Sequence, residues 1–399
     1  MPTALHVALI GHRFMGRAHS NAWTQAPHFF DLPRAVVLDT VSALEQDELP
    51  AFADRWGWRK WTGRWRDLAL DPDVELVDIG TPNFLHAEQA IAMLAAGKHV
   101  ACEKPLAGTL EDARAMRDAA RKAKRCKTFV WFNYRRCPAL GLAWQLVREG
   151  RLGQIRHVRA HYLQDWGGPQ TPMSWRFQRK LAGSGAHGDL NAHIVDMARF
   201  LVGEPISEVH GAVARTFVHE RPLAGGAASG IGGKAKGKGA GKGPATGKSD
   251  VDDCVAFLAS FEGGATASFE ATRLAHGHQN DNGIELNGEK GSLRFGFEDM
   301  NLLWLAEASD GPRTGGWKRV MCTSGANHPY AGAWWPDAHV LGYEHAHINM
   351  AADIVRVLAG GEPQVPLPDF EDAYQTQRVL EAALLSARER RAVRLSEVR

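Results

Sequence analysis

The sequence predicts a two-domain protein, with an N-terminal doubly wound α/β domain followed by an α+β domain carrying a large, mostly antiparallel open sheet. Three observations carry this prediction. Short apolar runs alternate with helical stretches through the first third of the chain, and the first of these runs ends in a glycine-bearing loop. After about residue 150 the rhythm changes to runs of alternating residues with few helices between them. At 399 residues the chain is long for one core, so two domains of about 100–200 residues each are expected. We place them at 1–135 and 136–399.

The first strand candidate is "HVALIG", followed by a helix from about Met15 to Ala26. "RAVVLDTVS", "VELVDIGT", "HVACEKP" and "KTFVWFNYR" supply four more strands. Two helices between them read clearly. "HAEQAIAMLAAG" ends on Gly97, and "TLEDARAMRDAARKAK" opens on Thr109 with Asp112 three places on, close to a capping box. Near-continuous apolar strands separated by helices form a parallel sheet covered on both faces, the Rossmann-like arrangement.

Beyond residue 150, "IRHVRAHYLQDW" alternates over a long stretch. "CVAFLASFEGGATASFEATR" places Gly263 and Gly264 between two alternating runs, and "IELNGEKGSLRF" turns at "GEKG"; both predict hairpins. Helices over about 344–359 and 369–390 close the chain and can pack on either domain. The stretch 224–249 holds ten glycines, five lysines and no aromatic residue, so a flexible, solvated insertion is expected there.

Composition narrows the function. Hydrophobic residues make up 44% and charged residues 23%, the balance of a soluble globular protein, and the net charge of +2 favours neither nucleic acid nor membrane as partner. No apolar run approaches the ~18 residues of a membrane span, and no secretory signal is expected. Five scattered cysteines without a C-x-x-C pair predict reduced thiols in the cytoplasm.

The loop "GHRFMG" keeps Gly11 and Gly16 of a G-x-G-x-x-G fingerprint but has Arg13 at the middle glycine. The first glycine permits the tight turn, the second allows close approach to a pyrophosphate, and the third lets helix and strand pack. Arg13, Phe14 and Met15 complete the loop, which follows a strand and opens a helix as the motif requires. At the end of the second strand Glu45 is the acidic candidate for a ribose, with Ala43 in the usual slot and no basic residue to meet a 2′-phosphate. This leans toward NAD over NADP.

Glu103-Lys104-Pro105 ends the fourth apolar strand, and ligands of open α/β sheets bind at such carboxyl ends. A lysine there is otherwise a solvated surface residue. In "GSGAHGDLNAHIVDMARFLVGE", Asp189, His193 and Asp196 are spaced by four and three, which puts them on one face of an α-helix. Asp189 is alternatively a cap for the helix start. A metal reading through His187 and His193 lacks further clustered ligands, and no metal is expected.

Taken with "TPNFLH", "FNYRRCPA", "YLQDW", "WRFQ" and the closing "DFEDAYQTQRVLEAALLSARE", these motifs make the sequence resemble the Gfo/Idh/MocA family of NAD(P)-dependent sugar and cyclitol dehydrogenases. "RRCPAL", "YLQDW" and "DVDD" resemble the members that oxidise a sugar 3-hydroxyl. The resemblance implies that Lys104, Asp189 and His193 surround the reacting hydroxyl of a carbohydrate substrate. His193 is then the general base, Lys104 the donor to the developing alkoxide and Asp189 the orienting group; the reverse assignment, with Lys104 as base, stays open. It also implies cofactor contacts from Thr81, Asn83, His86 and Glu103, and a cleft lined by Arg135, Trp175 and Arg176. Tyr162, Gln164, Trp166, Tyr330, Trp335 and Glu344 are candidates for the sugar, with Trp334 beside them. A homodimer or homotetramer follows from the resemblance alone. Two other classes share this architecture: a glycoside-cleaving enzyme with transient redox, and a non-catalytic sugar-sensing regulator.

Overall fold

A computed structural model of the chain describes residues 4–223, 245–326 and 328–398. It divides into two compact units, Met1–Leu142 with Met321–Tyr374, and Ala143–Val320 with Gln375–Arg399.

The first unit is built on six strands: β1 Leu5–Ile10, β2 Val36–Ser42, β3 Lys60–Thr62, β4 Leu76–Ile79, β5 His99–Cys102 and β6 Thr128–Val130. They lie in the order β3-β2-β1-β4-β5-β6, and every pair is parallel. Val7, Ala8 and Leu9 are wholly buried, because helices cover both faces of the sheet and a continuous apolar run satisfies both. The sixth strand, β3, escaped the sequence reading: "KWT" is three residues long and largely exposed at the sheet edge, so it carries no apolar run. Thr109 caps the helix Leu110–Lys122 as expected, its Oγ1 accepting from the Asp112 N–H at 3.1 Å and donating to the Asp112 carboxylate at 2.7 Å. The helix Tyr343–Leu358 packs against the helix Phe14–Phe29 of the same unit.

The second unit carries nine strands of its sheet from β7 Ile155–Leu163, β8 Ile206–Arg215, β11 Cys254–Phe261, β12 Thr266–Thr272, β13 Asp281–Gly288, β14 Gly291–Gly296, β15 Leu302–Glu307, β16 Lys318–Met321 and β17 Val393–Arg394. Both predicted hairpins form, β11–β12 about Gly263-Gly264 and β13–β14 about Glu289-Lys290. Only β7 and β12 run parallel among the pairs whose register is defined, so their carboxyl ends emerge side by side. Val158, Ala160, Val255, Phe257, Ala267 and Phe269 form the buried face, on which the helix Ala192–Val202 packs. The alternation of strand side chains puts Val213 and Leu258 on the opposite, open face.

Residues 224–244 lie outside the described residues, and with them most of the expected flexible insertion. Its last part departs from that expectation: β10, Thr246–Lys248, pairs antiparallel with β9, Glu220–Pro222, and the Ser249 N–H donates to the His219 carbonyl at 2.8 Å. Main-chain hydrogen bonds order this piece, where composition offers little apolar surface to bury. Among the described residues no helix is long and apolar enough to cross a membrane.

Candidate functional site

In the first unit Gly11 follows β1, and its φ of +108° and close approach to the Gly80 carbonyl exclude a side chain; an added Cβ would lie 2.8 Å from that oxygen. Gly16 meets the turn from the other side, with the Gly11 carbonyl 2.3 Å from where its Cβ would be. Arg13 has a φ of −73°, so the middle position does not require glycine for its backbone. The first turn of the helix Phe14–Phe29 has neither an acidic residue nor a side-chain cap, which leaves its amide end suited to an anion. Phe14 stacks on Tyr343 with ring centroids 6.3 Å apart, and Met15 lines the loop against Gly80.

Arg13 turns toward carboxylates. Its guanidinium reaches Glu48 at 2.8 Å and Glu45 at 3.2 Å, while His12 lies 3.0 Å from Glu48. The hydrogen bond from His12, and then the Arg13 charge, hold Glu48 below the usual carboxylate range. Glu48 is not legible in the sequence, because only the 3-10 turn over Gln46–Glu48 brings it beside Glu45 at the Arg13 guanidinium. A glycine-walled turn, an uncapped helix start and two acidic groups beyond β2 could hold a dinucleotide's pyrophosphate and ribose.

Thr81, Asn83 and His86 follow β4. Thr81 Oγ1 donates to Gln89 at 2.7 Å, Asn83 is buried in the turn Asn83–Leu85, and His86 Nε2 lies 2.9 Å from the Thr81 carbonyl. Burial pushes the His86 imidazole down. Glu103 and Lys104 follow β5, with Glu103 buried and its Oε2 accepting the Lys104 N–H at 3.1 Å. Arg135 is buried and donates to Asp372 at 2.6 Å.

Of the candidates in 330–344, Tyr330 departs from the expectation of a sugar contact. Its side chain is 1% exposed and its hydroxyl donates to Asp353 at 2.5 Å, beside the buried Arg136–Asp353 pair, which makes it a core anchor. Trp334 is buried with its indole N–H on Asn349, whereas Trp335 and Glu344 are exposed.

In the second unit, the helix expected to carry Asp189, His193 and Asp196 begins differently. His187–Asn191 is a π-helical turn, and the α-helix runs only from Ala192 to Val202, so the 3.6-residue spacing assumed for Asp189 and His193 does not hold there. Nor does Asp189 cap the helix. Asp252, 65 residues away in sequence, accepts from the N–H groups of Gly185 at 2.8 Å and His187 at 2.7 Å. Asp189 instead takes the guanidinium of Arg273 at 2.7 Å. His187, buried and bonded to the Leu380 carbonyl and Asn191, is a structural residue.

Tyr162, Gln164 and Trp166 gather where β7 and β12 end. Tyr162 and Gln164 donate to the Asn280 side-chain oxygen at 2.7 and 2.9 Å, and the Trp166 indole donates to Gln164 at 2.6 Å. The Tyr162 ring lies 5.8 Å from that of His193, and Arg273 sits over Trp166 at 5.1 Å. Trp175 and Arg176 occupy a neighbouring turn, Trp175–Phe177, with the guanidinium over the indole. Asn280 and Arg273 escaped the sequence reading because they stand at the two ends of the loop between β12 and β13, outside any motif.

A dinucleotide-binding α/β unit followed by a sheet unit with a polar, aromatic cluster is the layout of a two-domain oxidoreductase. The profile described as "Oxidoreductase family, NAD-binding Rossmann fold" matches residues 5–132, and that of the "GFO/IDH/MocA C-terminal domain" matches residues 142–294. Levoglucosan dehydrogenase of Pseudarthrobacter phenanthrenivorans is 44% identical over 386 residues, 96% of each chain. A crystal structure of an oxidoreductase domain protein from Kribbella flavida is 46% identical with a TM-score of 0.90, covering 98% of this chain and 99% of that one. A levoglucosan dehydrogenase complex with NADH and levoglucosan is 41% identical with a TM-score of 0.88, again over 98% and 99%. The chain belongs to the Gfo/Idh/MocA family of NAD-binding oxidoreductases.

Proposed function

We propose that the protein oxidises a secondary hydroxyl of a sugar, anhydrosugar or glycoside, at the 3-position, with Lys104, Asp189 and His193 acting on that hydroxyl. The observation that carries this reading is the cluster in the second unit. Tyr162, Gln164 and Asn280 offer paired donors and acceptors beside the Trp166 indole, and Asp189 and His193 stand with them. Such a mixture of amide, phenol, carboxylate and apolar ring suits a polyhydroxylated ring with one apolar face. The likeness to levoglucosan dehydrogenase supports an anhydrosugar in particular.

NAD, when bound, accepts the hydride. The protein's part is the proton and the charge. A hydroxyl loses its proton only to a base within hydrogen-bond reach, and His193 takes that role. Lys104 donates to the oxygen as negative charge grows on it. Asp189, held by Arg273, fixes a neighbouring hydroxyl so that the reacting carbon faces one way. Thr81, Asn83, His86, Glu103, Arg135, Trp175 and Arg176 serve the cofactor side, and Trp335 and Glu344 the rim. We propose further that the open sheet face bearing Val213 and Leu258 pairs with a second copy in a homodimer or homotetramer. Its five cysteines, none in a disulfide, support a cytoplasmic setting.

Incubating the protein with NAD and a panel of glucosides and anhydrosugars, while following reduced-cofactor absorbance, tests the reading. Steady production on at least one sugar is expected. Product without net reduced cofactor points to the glycoside-cleaving chemistry instead, and tight NAD binding without any product points to a regulator.

A further inference from the structure

Behind the strand end that carries Lys104 lies a buried ion set. His19, on the helix Phe14–Phe29, is wholly buried with Nδ1 3.1 Å from Asp78 Oδ1 and Nε2 3.1 Å from Glu103 Oε1. Asp78 also accepts the indole N–H groups of Trp23 at 2.7 Å and Trp131 at 2.8 Å. The other oxygen of Glu103 accepts the Lys104 backbone N–H. Trp131 stacks on the His19 ring at 4.3 Å.

An ionised carboxylate only accepts, so an imidazole between two of them carries protons on both nitrogens. Two carboxylates buried among indoles also need a cation, because like charges in an apolar pocket do not both ionise. Other groups nearby do not provide it from the same place. His347 is held neutral, pushed down to about 4 by burial and then by the charge on His19. The Cys102 thiol is raised well above its usual value by burial, and the Lys104 ammonium belongs to the residue being held. His19, Glu103 and His347 bring ligand atoms within 4.8 Å of one another, as a metal site would. A ring that donates from both nitrogens, however, has no lone pair for a metal.

We propose that His19 is a positioning residue for Lys104: a fixed imidazolium that keeps Glu103 ionised and in place, so that Glu103 holds the Lys104 main chain at the end of β5. Burial lowers the His19 pKa, but the charges and hydrogen bonds of Asp78 and Glu103 outweigh it and bring it to about 9. Glu103 is in turn raised by burial and brought below its usual range chiefly by its bond to His19. The proposal rests on the reading of Lys104 as a catalytic residue.

The test is the pH profile of kcat for His19→Gln. Without its cation Glu103 protonates more readily, so the acid limb of kcat moves up by about one pH unit or more. Turnover at neutral pH falls by about tenfold or more, while KM for NAD stays within about twofold. The double variant His19→Gln/Glu103→Gln has no carboxylate to titrate and loses the raised limb. A His19→Gln profile that superimposes on that of the unaltered enzyme overturns the proposal. A measurement on the unaltered protein stands beside it should the variant not fold: nitrogen NMR of labelled histidines should show His19 doubly protonated from about pH 6 to about pH 8, and titration near ~6.5 overturns the fixed charge. Full turnover in Lys104→Ala would remove the catalytic reading while leaving that NMR result standing, so the two failures are told apart.

Discussion

Arg273 and Asp189 meet at 2.7 Å, although 84 residues separate them in the chain. The arginine is 2% exposed and extends over Trp166, so the pair joins the indole to the π-helical turn. Arg273→Met keeps the apolar contact and deletes the charge. It should lower kcat/KM for the sugar by about tenfold or more, with NAD affinity unchanged by titration. Equal kcat/KM would take Asp189 out of substrate orientation.

Asp252 is a second long-range anchor, accepting from two buried main-chain N–H groups at the entrance to the same helix. Asp252→Ala leaves both donors unsatisfied, and each costs about 1–3 kcal/mol. Thermal unfolding should show a drop of several degrees in Tm, with turnover lost in parallel as the π-helical turn loosens.

The pairing of Arg13 with Glu45 and Glu48 bears on cofactor choice. Two carboxylates beyond β2 oppose a 2′-phosphate and suit a ribose hydroxyl. The double variant Glu45→Gln/Glu48→Gln should raise KM for NAD and shift the NAD-to-NADP preference by about tenfold toward NADP. Steady-state kinetics with both cofactors checks this.

His19 links stability to pH. Its pKa is raised from 6.5 to about 9 on folding. The stabilisation is therefore fully present below the unfolded value and is lost as pH rises through about 9. The sum is about 3 kcal/mol by linkage. Calorimetric scans from about pH 6 to about pH 10 should show Tm falling on the alkaline side, and His19→Gln should flatten that decline.

How much of this was legible in the sequence follows from the range of each interaction. The first and third glycine roles could be read because Gly11 and Gly16 answer to a local turn. Thr109 could be read because its cap closes within three residues. Lys104 stood out by its position at the end of an apolar run. The π-helical turn at His187–Asn191 could not be read, since Asp252, far along the chain, secures its start. Asn280 and Arg273 join the cluster only through the register of β12, β7 and β13. The charge on His19 likewise depends on β4 and β5 lying side by side, which brings Asp78 and Glu103 to one ring. Tyr330 is a sugar candidate by resemblance, yet Asp353 on the helix Tyr343–Leu358 draws it into the core.

The most direct measurement of the central claim is turnover and NADH binding by Lys104→Ala, side by side with the unaltered protein on its best sugar. Loss of the donor to the developing alkoxide should cut kcat by about 10²–10³ or more, while NADH, titrated by fluorescence, binds with affinity within about threefold of the unaltered protein. Turnover within a few-fold of the unaltered protein would contradict the assignment of the reacting hydroxyl to Lys104.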